Sequence, residues 1–428
     1  MNTTALKELI LSGGLDARLI SLYGEAALSA QKERYINAID SFTSLYGDRE
    51  NVGIYSVPGR SELSGNHTDH NAGCVIASSI DLDIIAVAVK EDSSIIRIKS
   101  EGYPEDTVDI AKYNAPDPAL YATSTSIIAG MSEGLTSKGF ASGGLTAYTT
   151  SSVLKGSGLS SSAAFEVMVG NLINHIYNDG KISNVEIAKV AQYAENKFFG
   201  KPCGLMDQVA CANGGIVAID FAKAGDPVIE PVSFDISGAG YNLCIVDTGG
   251  NHADLTDDYA AVPAEMKAVA KVLGADLLRR TDEEALLANV SKVREECGDR
   301  AVLRALHFFA ENRRVAIQKE ALLKGDTETF FANVIASGRS SYCYLQNVYT
   351  VKNVAEQGLS LAICLAERYL SGKKGAFRVH GGGFAGTIQA FVESKDVEGY
   401  RSLMDSVFGD GACMVLRVRQ EGAVKVVD

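Results

Sequence analysis

A glycine- and serine-rich stretch that leads into an apolar, helix-like segment is the feature that most constrains this chain. Residues 154–166 read LKGSGLSSSAAFE, so Gly156 and Gly158 precede the three serines Ser160 to Ser162. Apolar residues then recur mostly every three or four positions, which predicts an amphipathic helix. The first turn of a helix has unpaired N–H groups and a partial positive charge, and glycines let a ligand approach closely. The stretch therefore predicts an anion site suited to phosphate.

The same stretch admits a plainer interpretation, because serine is also common as the N-cap of any helix. Two other phosphate-binding motifs are excluded. No Gly-Lys-Ser/Thr follows, as a Walker A loop requires, and Ser161 stands where the third glycine of a dinucleotide fingerprint would lie. A phosphate site and an ordinary capped loop remain the two alternatives for this stretch taken alone.

A second stretch concentrates polar side chains between apolar segments. Residues 59–71 read GRSELSGNHTDHN and include Asn66, His67 and Asp69. Carboxylate, amide and imidazole groups at this density suit a polyhydroxylated ligand, because together they accept from hydroxyls and donate to them. A plain polar turn is one alternative. A metal site with His70 as a further ligand is another, but no additional His or Cys pattern supports it.

A third stretch joins a predicted helix to a loop that carries a carboxylate. Residues 185–198 predict an amphipathic helix that contains Glu195, and a loop with Gly and Pro leads from it to Asp207. An aspartate in a loop is usually a turn or cap residue, so this layout alone is weak evidence for catalysis.

A fourth stretch, residues 378–392, reads RVHGGGFAGTIQAFV. Gly381, Gly383 and Gly386 fit the G-x-G-x-x-G pattern by count. A strand is predicted after them rather than a helix, which excludes the dinucleotide interpretation. A glycine-rich hairpin is the alternative reading of this motif.

Local patterning predicts the remaining elements. We expect helices over most of residues 1–47, strands at 75–78, 84–89 and 95–98, and a loop over 101–120. A helix is predicted over 121–137, and residues 260–335 are expected to be mostly helical.

Composition excludes several classes of function. The 428-residue chain has a formal net charge of −13, whereas a nucleic-acid partner requires a basic face. Its eight cysteines form no C-x-x-C pair, and no apolar run reaches the roughly 18 residues of a membrane span. The N-terminus lacks a basic-then-apolar signal pattern. We expect a cytoplasmic globular protein with no nucleic-acid or membrane partner.

The stretches, taken together and in this order, resemble the GHMP small-molecule kinases and, among them, the galactokinases. Residues 156–163 match the G-x-G-L-S-S-S-A motif, and residues 200–208, GKPCGLMDQ, resemble G-x-P-C-G-I-M-D-Q. Residues 381–386, GGGFAG, resemble G-G-G-F-G-G. Residues 59–71 resemble the galactokinase signature G-R-V-N-L-I-G-E-H-T-D-Y-N. The departures from that signature are Ser61, Glu62, Ser64, Asn66 and His70.

The resemblance implies a two-domain α+β GHMP kinase fold with the active site in the cleft between the domains. We expect an N-terminal domain over residues 1–212, with a helical N-terminal extension over about 1–47, and a C-terminal domain over residues 213–428. A monomer or weak dimer is expected.

The implied reaction is transfer of the ATP γ-phosphoryl group to the anomeric hydroxyl of galactose, with Mg²⁺ as the metal. Asp207 would orient or deprotonate the hydroxyl, and Arg60 would keep it ionised. Ser162 and Glu195 would hold Mg²⁺. The implied sugar-binding residues are Asn66, His67, Asp69, Gly204 and Tyr259, the last in a looser motif with His252 and Leu255. The implied ATP-binding residues are Gly156, Ser157, Gly158, Leu159, Ser160, Ser161, Ser162, Gly382 and Gly383.

Two alternatives stay open at this point. Asn66 replaces a glutamate that binds a sugar hydroxyl in the family, so another sugar, galacturonate or arabinose, is an alternative substrate. A non-catalytic sugar sensor on the same scaffold is the other alternative. It is disfavoured because a sensor has no need to keep Ser162, Glu195 and Asp207.

Overall fold

Two β-sheets and the helices packed on their faces form the structure, a computed structural model that describes residues 1–153, 158–223, 225–250 and 255–427. The helices are α1 (Thr3–Leu11), α2 (Asp16–Tyr23), α3 (Leu28–Tyr46), α4 (Ser124–Ser137), α5 (Ser161–Tyr177), α6 (Asn184–Tyr193), α7 (Met206–Asn213), α8 (Thr256–Val272), α9 (Glu283–Ala288), α10 (Val290–Cys297), α11 (Asp299–Leu323), α12 (Thr327–Ser340), α13 (Gly358–Leu370) and α14 (Val397–Phe408). The strands are β1 (Gly53–Ser64), β2 (Cys74–Lys90), β3 (Ile95–Ser100), β4 (Glu105–Asp109), β5 (Leu145–Ser151), β6 (Ile216–Asp220), β7 (Val228–Val232), β8 (Tyr241–Asp247), β9 (Gly375–Val379), β10 (Thr387–Glu393), β11 (Cys413–Leu416) and β12 (Val424–Lys425).

The first sheet runs in the order β12-β1-β2-β5-β3-β4, and β6 pairs with the first part of β2 and with β7. The pairs are antiparallel except β3 with β5. Both faces are covered, one by α4 to α7 and the other by α1 to α3, so the paired segments 54–57 of β1 and 84–89 of β2 are largely apolar on both sides. Two of the predicted motifs lie here. One begins on β1 within the sheet, and the other leads into α5, which packs on the sheet.

The second sheet is antiparallel, in the order β11-β8-β10-β9. Helices α13 and α14 pack on one face. The other face packs with α11 and α12 against the first sheet, through residues such as Ile76, Leu243 and Phe391. This shared core fixes the glycine-rich segment between β9 and β10 against the end of β1.

The predicted N-terminal helices are confirmed, and they pack on the outer face of the first sheet. Leu6, Ile10 and Phe42 are fully buried there. A buried carboxylate anchors them, because Asp83 on β2 accepts from Tyr23 and pairs with Arg34 at 2.6 Å.

The observed elements confirm most of the local predictions, with two differences. Residues 75–78 and 84–89 belong to one continuous strand, because polar residues between them are buried within the sheet. The predicted loop over 101–120 contains β4, an edge strand with one buried side chain, Val108. A polar edge strand lacks the alternation that predicts strands.

The first sheet also receives strands that follow residue 212, namely β6, β7 and β12. The division of the chain into domains at that residue stays a prediction. Among the helices of the described residues, none is both long and apolar enough to span a membrane.

Candidate active site

A bidentate ion pair joins two of the predicted motifs. Arg60 on β1 donates from Nε to Asp207 Oδ1 at 2.7 Å and from Nη2 to Oδ2 at 2.9 Å, and Asp207 lies in the first turn of α7. Burial raises the pKa of Asp207. The Arg60 cation and hydrogen bonds from Arg60 and Ser160 outweigh burial, so that pKa lies below its usual value. Asp207 is therefore ionised at neutral pH, and its side chain is 33% exposed.

The described part of the glycine- and serine-rich stretch lies against this ion pair. Arg60 donates from Nη1 to Gly158 O and from its backbone N–H to Leu159 O. Ser160 has a left-handed backbone, φ 58°, and its hydroxyl donates to Asp207. Gly156 and Ser157 lie outside the described residues.

The N-terminus of α5 follows directly and is not blocked by a side-chain cap. Its first N–H groups have no intrahelical partner, and Ser161 and Ser162 occupy the first turn. Ser162 is exposed and lines a cavity of about 120 Å³ together with Glu195 and Asp207. The structure thus brings an open helix N-terminus beside the ionised aspartate.

A pair of buried carboxylates lies behind this cavity. Gln208 donates from Nε2 to Glu166 Oε2 at 3.1 Å and to Glu195 Oε2 at 3.0 Å, and Lys201 pairs with Glu195 at 3.1 Å. Burial and the charge of Glu195 raise the pKa of Glu166 to about 8. Two carboxylates share one amide donor here, and the raised pKa of Glu166 leaves it protonated at neutral pH, so this side of the cavity holds one carboxylate charge, that of Glu195 paired with Lys201.

The donor set of the cavity fits Mg²⁺. Ser162 and Glu195 offer oxygen ligands, which this hard cation prefers, and Mg²⁺ is commonly held by one or two protein groups plus phosphate oxygens. Across the described part of the chain, no group of three or more His, Cys, Asp or Glu side chains is arranged to hold a metal on its own.

Asp69 and Gly204 lie together at the same cavity. A Cβ on Gly204 would lie 2.6 Å from Asp69 Oδ2, so a larger residue there would displace this carboxylate from its observed position. Next to it, His67 Nδ1 lies 3.1 Å from His70 Nε2. Burial lowers the pKa of His70 to about 4, so this imidazole is neutral at pH 7.

Asn66 lies in the interior, away from the cavity that holds Asp207. It is fully buried, and Nδ2 donates to Glu62 Oε1 at 3.1 Å and to Gly381 O at 2.6 Å. Its Oδ1 accepts from Ser341 at 3.2 Å and from Asn347 at 2.9 Å. The amide is therefore used by the protein itself, which differs from the expectation of a direct sugar contact.

Glu62 completes this buried pair with Asn66. The galactokinase signature has Asn and Glu at positions 62 and 66, and this chain has Glu and Asn. Arg378 on β9 pairs with the Glu62 carboxylate and donates to Ser337 at 3.0 Å. The carboxylate that the signature has at position 66 stands at position 62 in this chain, and a fully buried arginine neutralises its charge.

The glycine-rich segment between β9 and β10 contacts three of the predicted sugar-binding residues through successive carbonyls. Asn66 donates to Gly381 O, His67 Nε2 donates to Gly382 O at 2.8 Å, and Tyr259 donates to Gly383 O at 2.7 Å. Gly382 and Gly383, predicted as ATP neighbours, are therefore bonded on their carbonyl side to the sugar-side residues. His252 lies outside the described residues.

Sequence reasoning missed Glu166, Gln208, Arg378 and Asn347. Glu166 lies three positions after the motif at 156–163, and Gln208 is the last residue of the motif at 200–208. The polar side chains of both interrupt apolar helix faces, which is a usable signal. A larger cavity of about 810 Å³ is lined by residues 248–250, by several residues between 350 and 361, and by Phe384 and Ala385 of the glycine-rich segment. None of the predicted catalytic, sugar-binding, ATP-binding or metal residues lines it.

Comparisons with known sequences agree with these motifs. The family model of the GHMP kinases N terminal domain matches residues 126–215, and the galactokinase galactose-binding signature matches residues 40–90. A galactokinase from Streptomyces coelicolor is 30% identical over 399 residues, which cover 92% of this chain and 96% of that protein. A galactokinase from Actinobacillus pleuropneumoniae is 30% identical over 353 residues, covering 81% of this chain and 87% of that protein.

Solved structures share the fold. Lactococcus lactis galactokinase, solved in complex with galactose, has a TM-score of 0.74 and 24% identity, covering 90% of this chain and 98% of that chain. Methanococcus jannaschii mevalonate kinase has a TM-score of 0.61 and 15% identity, covering 86% of this chain and 99% of that chain. The predicted α+β GHMP kinase fold is confirmed. The chain is 30% identical to a galactokinase over nearly its whole length, and both family models match it. It belongs to the galactokinase family of GHMP kinases.

Proposed function

We propose that this protein transfers the γ-phosphoryl group of ATP to the anomeric hydroxyl of galactose, giving ADP and galactose 1-phosphate. The observation that carries the proposal is the ionised Asp207 carboxylate beside the open N-terminus of α5, with Arg60 bound to both segments. Membership of the galactokinase family supports the same reaction.

The N-terminus of α5 is proposed to hold the phosphates of ATP. Its unpaired N–H groups and macrodipole favour negative charge, and the hydroxyls of Ser161 and Ser162 add donors. Phosphoryl transfer depends mainly on such positioning and on neutralising charge. Gly156 and Ser157 belong to the same proposed loop by sequence.

Asp207 is proposed to orient the sugar hydroxyl and to accept its proton as the new bond forms. Its lowered pKa keeps it ionised but makes it a weak base, so orientation is the larger part of its role. All three guanidinium nitrogens of Arg60 are bonded, to Asp207 and to Gly158 O. Residues 156–160 are called the phosphate loop. Arg60 therefore holds Gly158 of this loop and the Asp207 carboxylate in one fixed relation.

Ser162 and Glu195 are proposed to hold Mg²⁺. The bound ion would neutralise charge on the phosphates of ATP. Lys201 pairs with Glu195 and keeps this carboxylate at the edge of the cavity.

The sugar side is proposed to consist of His67, Asp69, Gly204 and Tyr259. Asn66 would act indirectly, through its hydrogen bond to the carbonyl of Gly381. The charge of this side favours a neutral sugar. Asp69 would repel a ligand carboxylate. The neutral His70 does not offset that repulsion, and Lys201, a cation that lines the same cavity, is paired with Glu195. Galactose is therefore preferred here over galacturonate.

The test is an ADP-release assay with Mg²⁺, ATP and a panel of galactose, arabinose, glucose and galacturonate. Turnover with galactose above the other sugars is expected. Turnover confined to galacturonate or arabinose would assign a different sugar. Calorimetric binding of a sugar without ADP release would instead indicate a non-catalytic sugar sensor.

A further inference from the structure

A buried histidine at the end of β9 bridges the two sheets beside the phosphate loop. His380 is 2% exposed, and its Nδ1 lies 2.9 Å from Thr387 Oγ1 on β10. Its Nε2 lies 3.1 Å from Ser61 Oγ on β1, next to Arg60. The imidazole thus connects a strand of the second sheet to the strand of the first sheet that carries Arg60.

Gly158, the described residue of the phosphate loop nearest to this histidine, lies close to it. A Cβ added to Gly158 would lie 3.3 Å from Thr387 Oγ1 and 3.4 Å from His380 Nδ1. On its other side, Gly158 O accepts from Arg60. Gly158 therefore lies between Arg60, to which its carbonyl is bonded, and the His380–Thr387 pair, which leaves little room on its Cα side.

The chemistry of the bridge suits a neutral ring. Burial lowers the pKa of His380, and the charges of Arg60 and Arg378 lower it further, with Asp207 acting in the opposite direction. A neutral imidazole has one donor and one acceptor, and a hydroxyl complements either. Ser61 and Thr387 therefore satisfy both ring nitrogens whichever tautomer is present.

The same segment is tied to the sugar side. His380 is followed at once by Gly381, Gly382 and Gly383, whose carbonyls accept from Asn66, His67 and Tyr259. His380 is thus next to this glycine segment in the chain and close to Gly158 in space.

We propose that His380 is a positioning residue: through its bridge to Ser61 it fixes the part of β1 that carries Arg60, and with it Gly158 of the phosphate loop. The inference rests on the proposed ATP-binding role of that loop. His380 contacts no reacting atom, so its effect appears in nucleotide affinity before it appears in the chemical step.

Two substitutions separate the two ends of the bridge. The amide nitrogen of Asn can take the place of Nδ1, and that of Gln the place of Nε2, so His380→Asn loses the bond to Ser61 and His380→Gln keeps it. Ser61→Ala removes the same bond from the other side by deleting one hydroxyl. We expect the Kd of Mg²⁺-AMPPNP, measured by calorimetry, to rise about fivefold in His380→Asn and in Ser61→Ala. His380→Gln should stay within twofold of the wild type.

A double-mutant cycle provides the decisive comparison. If one bond carries the effect, His380→Asn combined with Ser61→Ala should bind AMPPNP no more weakly than either single variant. His307→Asn is the matched control, since His307 is also fully buried and bonds Ser340 Oγ at 2.8 Å and Asn66 O at 2.9 Å. Its unfolding midpoint should fall as in His380→Asn, while its Kd for AMPPNP stays within twofold of the wild type.

Kinetics add a second readout, because the KM for ATP should rise in His380→Asn while the KM for galactose changes less than twofold. Unchanged AMPPNP affinity in both single variants, or multiplicative losses in the double variant, would overturn the proposal. Ser61→Ala keeps it testable if His380→Asn does not fold. A wild-type protein that binds AMPPNP but turns over no sugar would refute the proposed reaction and leave this binding test intact.

Discussion

Replacing Asn66 with glutamate is expected to destabilise the protein rather than to alter sugar choice directly. The amide donates two buried hydrogen bonds, to Glu62 Oε1 and to Gly381 O. A glutamate can donate neither when ionised, and it would place a second carboxylate beside Glu62, which is 5% exposed.

The magnitude follows from these contacts. Each acceptor that loses its donor costs about 1–3 kcal/mol when buried. Two adjacent buried carboxylates cannot both stay ionised, so one takes up a proton, which limits the repulsion. We expect Asn66→Glu to lower the free energy of unfolding by about 3–5 kcal/mol at pH 7, and by less at pH 5.

The assay is urea unfolding of the wild type, Asn66→Glu, Glu62→Asn and the double variant. Because the double variant restores the signature's order of Asn and Glu, it should regain at least about 2 kcal/mol over the sum of the two single losses. Asn353→Glu, the same change at an exposed loop position, should stay within about 0.5 kcal/mol. Additive losses, or a stable Asn66→Glu variant, would refute the reasoning.

Three further outcomes are expected. Asp207→Asn should lower kcat by at least about 10²-fold with little change in the Kd for AMPPNP, and near-normal kcat would contradict the role of the carboxylate. The raised pKa of Glu166 means that its protonated form stabilises the fold fully below about pH 4.5, the usual glutamate value, and that this contribution is lost as pH rises through about 8. The wild type should therefore lose stability between pH 5 and 8 relative to Glu166→Gln in urea titrations, and parallel profiles would contradict the assignment. Arg34→Met should cost about 3 kcal/mol, because it leaves the buried Asp83 with Arg419 as its remaining cation partner; hydrogen exchange in α1 and α2 should rise with it, and unchanged protection there would contradict the anchoring role.

The motifs were predictable from sequence because each is short and continuous. The glycine- and serine-rich stretch predicted a helix that starts at Ser160 to Ser162, and α5 begins at Ser161 with Ser160 as its N-cap. The pairing of Arg60 with Asp207 depended on the family resemblance, because these residues lie far apart in the chain and no local period connects them. Their hydrogen bonds are a product of the tertiary fold.

The direction of the Asn66 side chain was beyond local reasoning for the same reason. It depends on Arg378, on Asn347 and on the carbonyl of Gly381, all of which reach it from distant elements. From the sequence, Asn66 in place of the signature's glutamate reads as a lost contact with the ligand. That Glu62 supplies the carboxylate instead becomes clear only from its pairing with the buried Arg378. Position 62 and position 66 had to be interpreted together.

The pairing of β12 with β1 has a consequence for how the chain is made. Val426 and Val427 pack among the N-terminal helices, and Arg419 bonds Ser56 and Asp83 in the first sheet. The ribosome makes these residues long after β1 and α1 to α3. Until then the edge of β1 that pairs with β12 is unpaired, and the apolar surface that Val426 and Val427 cover is exposed. Such distant contacts slow folding and expose strand edges to misassociation. The N-terminal part of the chain therefore cannot complete these contacts until the C-terminal segment has been made.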